Sequence, residues 1–406
     1  MSDEQLETRL VSWLRLSRVP GIGPVLVKRA VTALGAPEAV LAAHPPVLAS
    51  IEGIGTSRAQ AFAAAPSPDE ARRELATIRH HGLELLCPDD PRWPVGLKTI
   101  PDPPIVLHLR GTLVPEDNLA VGIVGARQCT MYGREQSARF GALLAQAGFC
   151  VISGGARGID TAAHEGALRA KGRTIVICGC GLLECYPPEN AALYERIVAE
   201  GGALLSELPL DAPPAKENFP PRNRIIAGMS LGILVVEANL RSGSLITARL
   251  AAADYGREVF ALPGRVDSPA SAGTHHLIKS ATAHLVENVE DILAALGDMG
   301  AAMREVGRVQ AAEETPAMAA PLTAPDSLFA NSGDDQSHAA APAPRFTGVQ
   351  QRILAALDGQ ASSVDELMER TGLPAAVLMA ELTMLQIRGV VDRAGGNCFA
   401  KRRPDA

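Results

Sequence analysis

Residues 119–160 read LAVGIVGARQCTMYGREQSARFGALLAQAGFCVISGGARGID. Two short runs rich in Val and Ile, LAVGIVGA and FCVISGGA, each close on Gly-Ala, and a segment of helical length lies between them. Runs this short and this uniformly apolar suit strands buried on both faces, and a helix-length connection between two of them marks a βαβ unit. The alternation continues toward the C-terminus through TIVICGCG, GALLSELP, GILVVEA and REVFALPG. The expectation is a Rossmann-like α/β domain over about 115–297, a parallel sheet with helices on both faces.

Outward from that domain the pattern changes on both sides. Residues 1–114 read as a helical N-terminal module and connector, with two similar turns, VPGIGP (19–24) and IEGIGTS (51–57). An apolar-Gly-x-Gly turn can aim the N–H groups of a following helix at a phosphate, as helix-hairpin-helix modules do, although glycine turns are also common punctuation. Residues 298–345 are dominated by Ala, Pro, Ser and Asp without a period, the composition of a flexible linker. Residues 346–406 give three helical stretches and then VVDRAGGNCFAK, a hairpin, which together form a winged-helix pattern.

The chain has 406 residues, 47% of them hydrophobic, enough for one large core and smaller modules. Its net charge of -7 gives no overall basic field, so a nucleic-acid site has to be a local cluster of Lys and Arg. The start MSDEQLETRL has no apolar leader and no stretch reaches membrane-span length, which predicts a cytoplasmic protein without a membrane partner. Seven cysteines, an odd number, point to reduced thiols.

Ligands of an open parallel sheet sit beyond the carboxyl ends of its strands. Four loops there are rich in small or polar residues: Gly125–Gly133, Ser153–Asp160, Cys178–Asn190 and Arg241–Ala248. Glycine lets a ligand approach the backbone, and helix-end N–H groups favour anions. Neither a dinucleotide G-x-G-x-x-G after the first strand nor a Walker GxxxxGK[ST] is present, so NAD, ATP and cofactors generally are not expected. Before the fifth strand, PPAKENFPPRNRIIAG (213–228) sets Lys216, Arg222 and Arg224 around Phe219 and Asn223. Cations neutralise phosphates and an exposed aromatic offers a base a stacking face. The structural alternative is a core Phe, with the arginines solvated or paired to Glu217 and Glu237.

The strings VGARQCTMYG, SGGARGIDTAAHEGAL, YPPEN, SELP, NFPPRNRIIAG, VVEANLRSGSLITA and FALPG, in this order, resemble the DprA (Smf) family across the whole Rossmann-like domain. The resemblance implies a homodimer that binds single-stranded DNA and loads the RecA recombinase onto it during natural transformation, with a single-strand-binding protein as a further partner. It implies no enzyme activity. Carried over residue by residue, the DNA pocket maps onto Arg127, Ser153, Gly154, Lys216 and Phe219. Arg222, Asn223 and Arg224 complete it, with Ser242, Gly243 and Ser244 as phosphate-facing donors.

Two segments depart from the family pattern. CGCGLLECYP places Cys178, Cys180 and Cys185 close together, but a structural zinc site usually needs a fourth ligand, and none is nearby in sequence, so no metal is expected. GTHHLIKS puts His275 and His276 near a helix start, where capping and packing are the ordinary roles. Asp160 and His164 stand i, i+4 apart, within reach of each other, and without a nucleophile or metal they are read as shaping the loop. Two rival readings remain. A nucleotide phosphoribohydrolase resembling lysine-decarboxylase-like proteins carries PGGxGTxxE, whereas RSGSLITARLA lacks the Glu that the chemistry requires. A winged-helix transcription regulator needs base-reading side chains, and the third helix of that module offers Glu381 and a single cation, Arg388.

Overall fold

The computed structural model describes residues 3–297, 348–357, 362–373, 375–387, 390–393 and 398–402. The expected linker, 298–345, lies outside the described residues. The chain divides into two compact units, Met1–Gly300 and Ala301–Ala406.

The first unit is organised on a nine-stranded sheet: β1 Glu84–Leu86, β2 Leu107–Gly111, β3 Ala120–Val124, β4 Cys150–Ser153, β5 Thr174–Ile177, β6 Ala203–Ser206, β7 Gly232–Val235, β8 Glu258–Ala261 and β9 His284–Leu285. Their order is β1-β2-β6-β5-β4-β3-β7-β8-β9. From β6 to β9 every pair is parallel, while β1–β2 and β2–β6 are antiparallel. The six strands expected from sequence are β3–β8. Every residue of β3 to β7 is buried, as covering both faces requires. The sheet also begins before residue 115. β1 and β2 come from the connector; β1 has only three residues, and β2, LHLRG, carries His108 and Arg110 and so lacks the continuous apolar run that marks β3 to β8.

The N-terminal helices use the two glycine turns as punctuation. Gly21 has φ +71° and Gly23 caps helix Pro24–Leu34, while Gly53 has φ +81° and Gly55 caps helix Thr56–Ala61. Ser67 and Glu70 form a reciprocal capping box at the start of helix Pro68–His80. Leu14, Val27, Leu48 and Ile78 of this module share one core with Val176, Leu193 and Leu204 of the sheet domain, so the module packs on the sheet unit. A second core, with Leu107, Ile152, Ile175, Ile225 and Ile233, fills the other side.

In the second unit, helices Gly348–Ala356, Val364–Thr371 and Ala375–Ile387 pack around Ile353, Leu367, Leu382 and Phe399. Strands β10 Ser362–Ser363, β11 Val391–Arg393 and β12 Cys398–Lys401 form an antiparallel sheet, as expected for a winged helix. Glu381 is buried and accepts from Gln350 Nε2 at 2.8 Å, which removes it from any DNA-facing surface. Arg388 lies outside the described residues. Among the described residues no helix is long and apolar enough to cross a membrane.

Candidate nucleic-acid interface

Strand order reverses between β3 and β7, since the chain moves outward to β4, β5 and β6 before returning to β7. A cleft of about 710 Å³ opens at the carboxyl ends of these strands. Its walls come from the loops after β3, β4 and β7 and from helix Phe219–Met229 of the β6–β7 crossover. This is the switch-point crevice expected of an open α/β sheet.

The wall after β4 is fixed from within. The Asp160 carboxylate accepts from the N–H groups of Gly154, at 3.1 Å, and Ala156, at 3.2 Å. Burial pushes its pKa up to about 6, against the pull of Arg222 and these hydrogen bonds. His164 turns elsewhere. Thr174 Oγ1 donates to Val151 O, so it accepts from His164 Nδ1–H at 2.7 Å, and burial lowers the His164 pKa to about 3. Asp160 therefore shapes the loop as expected, but by holding backbone amides and not through His164.

Phe219 is half-buried at the start of its helix. Its ring lies against Gly179, where a Cβ would come within 2.7 Å of Cδ1, and 5.5 Å from the Tyr186 ring. Arg127 reaches over it from the β3 loop, with Cζ 4.9 Å from the ring centroid, inside cation–π range. Arg127 and Lys216 are exposed, line the cleft and have no ion pair among the described residues. Asn223, Ser242, Gly243 and Ser244 line it too, and the Ser242 and Ser244 hydroxyls lie 2.8 Å apart.

Three of the expected residues stand apart. Ser153 is buried beneath the cleft and donates to Ile123 O at 2.5 Å, and Gly154 is buried with its N–H on Asp160. Neither lines the cleft. Arg224 is buried on another side of the helix, paired with Glu207 and, at 3.6 Å, with Asp102. Consecutive helical residues turn by about 100°, so 222, 223 and 224 cannot share one face. Arg222 faces the cleft floor at 5% exposure, donating to Gly154 O at 2.7 Å and to Ile177 O, with Cζ 5.8 Å from the Phe219 centroid. It ties the ends of β4 and β5 together under the ring, and its Nε has no partner among the described residues. Neither Arg222 nor Arg224 pairs with Glu217 or Glu237. Arg157, passed over in the sequence, also lines the cleft, held by Glu189 at 2.7 Å. Its place in the second glycine loop was the available signal.

The third glycine loop, Cys178–Asn190, does not line the cleft and reaches Phe219 through Gly179 and Tyr186. Cys178 and Cys180 are buried and Cys185 exposed, and burial raises the Cys180 thiol to about 11. Among the described residues no group of three or more His, Cys, Asp or Glu is placed to hold a metal. His275 packs with Nε2 3.1 Å from Gly264 O, away from the cleft.

Residues 84–297 match the family model of DNA recombination-mediator protein A. The chain belongs to the DNA recombination-mediator protein A (DprA, Smf) family. Residues 337–397 match the DprA winged helix domain and residues 14–62 a SAM-like helix-hairpin-helix tandem. Protein Smf of Synechocystis sp. is 34% identical over 96% of this chain and 98% of its own length. Protein Smf of Escherichia coli is 36% identical over 86% of each. The crystal structure of DNA processing protein A from Streptococcus pneumoniae superposes with a TM-score of 0.59 at 32% identity, covering 70% of this chain and 95% of that one. The DprA family therefore accounts for the sheet unit, the N-terminal module and the winged helix together.

Proposed function

We propose that this protein binds single-stranded DNA across the carboxyl edge of its sheet and delivers it to the RecA recombinase during natural transformation, acting as a homodimer in the cytoplasm without catalysing a reaction. The observation that carries the DNA reading is the pairing of a half-buried Phe219 with two exposed cations, Arg127 and Lys216, that have no acidic partner in an acidic protein. Unpaired cations bind phosphates, and a fixed ring gives a base a face to stack on without reading its identity. The glycine loops leave room for a backbone to approach. Arg222 keeps a buried positive charge beneath the ring.

The non-catalytic reading rests on what the carboxylates do. Asp160 is buried with its oxygen on two amides, and the β7 loop that would carry a hydrolase's acid/base residue has Ser242, Ser244 and Thr247 at the cleft. Dimerisation fits the same task, because two tethered clefts on one strand make the second contact intramolecular. Anisotropy with labelled oligo-dT and a matched duplex, titrated with salt, tests the proposal. Salt-sensitive preference for the single strand, weakened in Phe219→Ala, supports it, and no binding to either oligonucleotide overturns it. RecA filament assembly on strand-binding-protein-coated DNA tests delivery.

A further inference from the structure

A second cavity, of about 640 Å³, lies on the other side of the β3 loop. Gln128 lines the first cleft and Thr130 the second, and Asn239 lines the first and Glu237 the second. Two residues span at most about 7 Å, so the cavities are within reach of neighbouring nucleotides on one extended strand.

The second cavity contains a buried acceptor that the fold leaves incompletely used. Glu237 is 3% exposed, and its carboxylate takes two hydrogen bonds, from Thr130 N–H at 2.8 Å and Thr130 Oγ1 at 2.6 Å. A carboxylate has about four lone-pair positions. No further donor reaches it among the described residues. Each oxygen, holding one hydrogen bond, therefore keeps a lone pair that a ligand's donor can use. Beside it, the Tyr132 ring is 43% exposed, with its hydroxyl anchored on Pro263 O at 3.0 Å, so the ring is held in place. Arg265 stands at the rim, 81% exposed, in a side-chain pair with Asp267.

A negative acceptor rejects phosphate and accepts amino groups. A fixed aromatic face beside it fits a flat ring. We infer that this cavity receives a nucleobase bearing an exocyclic amino group, cytosine in the first instance, from the same single strand that occupies the first cleft. Glu237 accepts from cytosine N4, a recognised carboxylate-to-base pairing, the base lies along Tyr132, and Arg265 meets a flanking phosphate. Thymine offers O4 at that position, an acceptor facing an acceptor. The inference rests on the single-strand reading and adds a modest base preference to it.

Anisotropy on the full chain with oligo-dC and oligo-dT of equal length tests it. The expected result is dC bound about fivefold tighter than dT by the wild type, the low end of what one good side-chain-to-base contact discriminates. Tyr132→Ala, which leaves the Thr130–Glu237 hydrogen bonds intact, is expected to bring dC to parity with dT, and Glu237→Gln to do the same. Equal affinities in the wild type, or a full dC advantage surviving in Tyr132→Ala, overturn the inference. Binding of oligo-dT that is lost in Phe219→Ala reports on the first cleft separately, so failure of one site is distinguishable from failure of the other.

Discussion

Phe219 rests on a glycine and under an arginine, and its two neighbours have different consequences. Removing the ring in Phe219→Ala is expected to weaken oligo-dT binding by about 1–3 kcal/mol, the worth of one stacked base. Arg127→Ala and Lys216→Ala are each expected to reduce the slope of log affinity against log salt by about one phosphate contact. An unchanged slope in both would remove them from the interface. Arg224→Met, by contrast, leaves the Glu207 carboxylate without its cation, while Asp102 keeps the Tyr255 hydroxyl, and is expected to lower stability by about 3 kcal/mol in a denaturant titration, with the salt slope kept. In the sequence RNR the two arginines are indistinguishable. What separates them is a pair of acids at 102 and 207, far away in the chain, so no local reading could have assigned Arg224 to structure.

At the scale of single elements, strand β2 and the helix after β4 hold titrating groups that make the fold sensitive to acid. His164 and His108 are both buried, which lowers their pKa values to about 3 and about 4, so between those values and about 6.5 the unfolded chain binds protons that the native one does not. Stability from the histidines is therefore full at neutral pH and lost as pH falls. Asp160 acts oppositely. Burial raises its pKa to about 6, so between its ordinary value near 4 and 6 the native state binds the extra proton and gains as pH falls. Two histidines against one carboxylate leave a net loss on acidification. Melting temperature is expected to fall from pH 7 toward pH 4.5, more steeply in Asp160→Asn and less steeply in His164→Asn, and a flat profile in the wild type would contradict this. The elements themselves were largely legible: β3 to β8 announce themselves as apolar runs of the right length. The strands β1, β2 and β9 were not, because β1 and β9 have only three and two residues and LHLRG of β2 is broken by His108 and Arg110, and their pairing is decided by partners remote in sequence.

For the whole molecule, the division at residue 300 matters. The first unit contains the cleft, the second cavity and both large cores, so a chain truncated after Gly300 is expected to keep its oligo-dT affinity within about threefold, less than a 1.4 kcal/mol change. A loss of a hundredfold or more would place part of the interface in the winged helix. The site was only half readable at this scale. The glycine loops and the segment around Phe219 pointed to it, but which loops meet depends on the strand order, and the order depends on a crossover that carries the chain from β6 back to β7.

The antiparallel edge also imposes a timetable on synthesis. The pair β1–β2 leaves the ribosome early, yet the strand that β2 lies against, β6, begins at Ala203, 92 residues after Gly111. At translation rates of about 5–20 residues per second, the wait is roughly 5–20 seconds. During that time the apolar side chains of LHLRG have neither the sheet nor its helices to cover them, and the nascent chain carries an open strand edge that must be kept from pairing with the wrong neighbour.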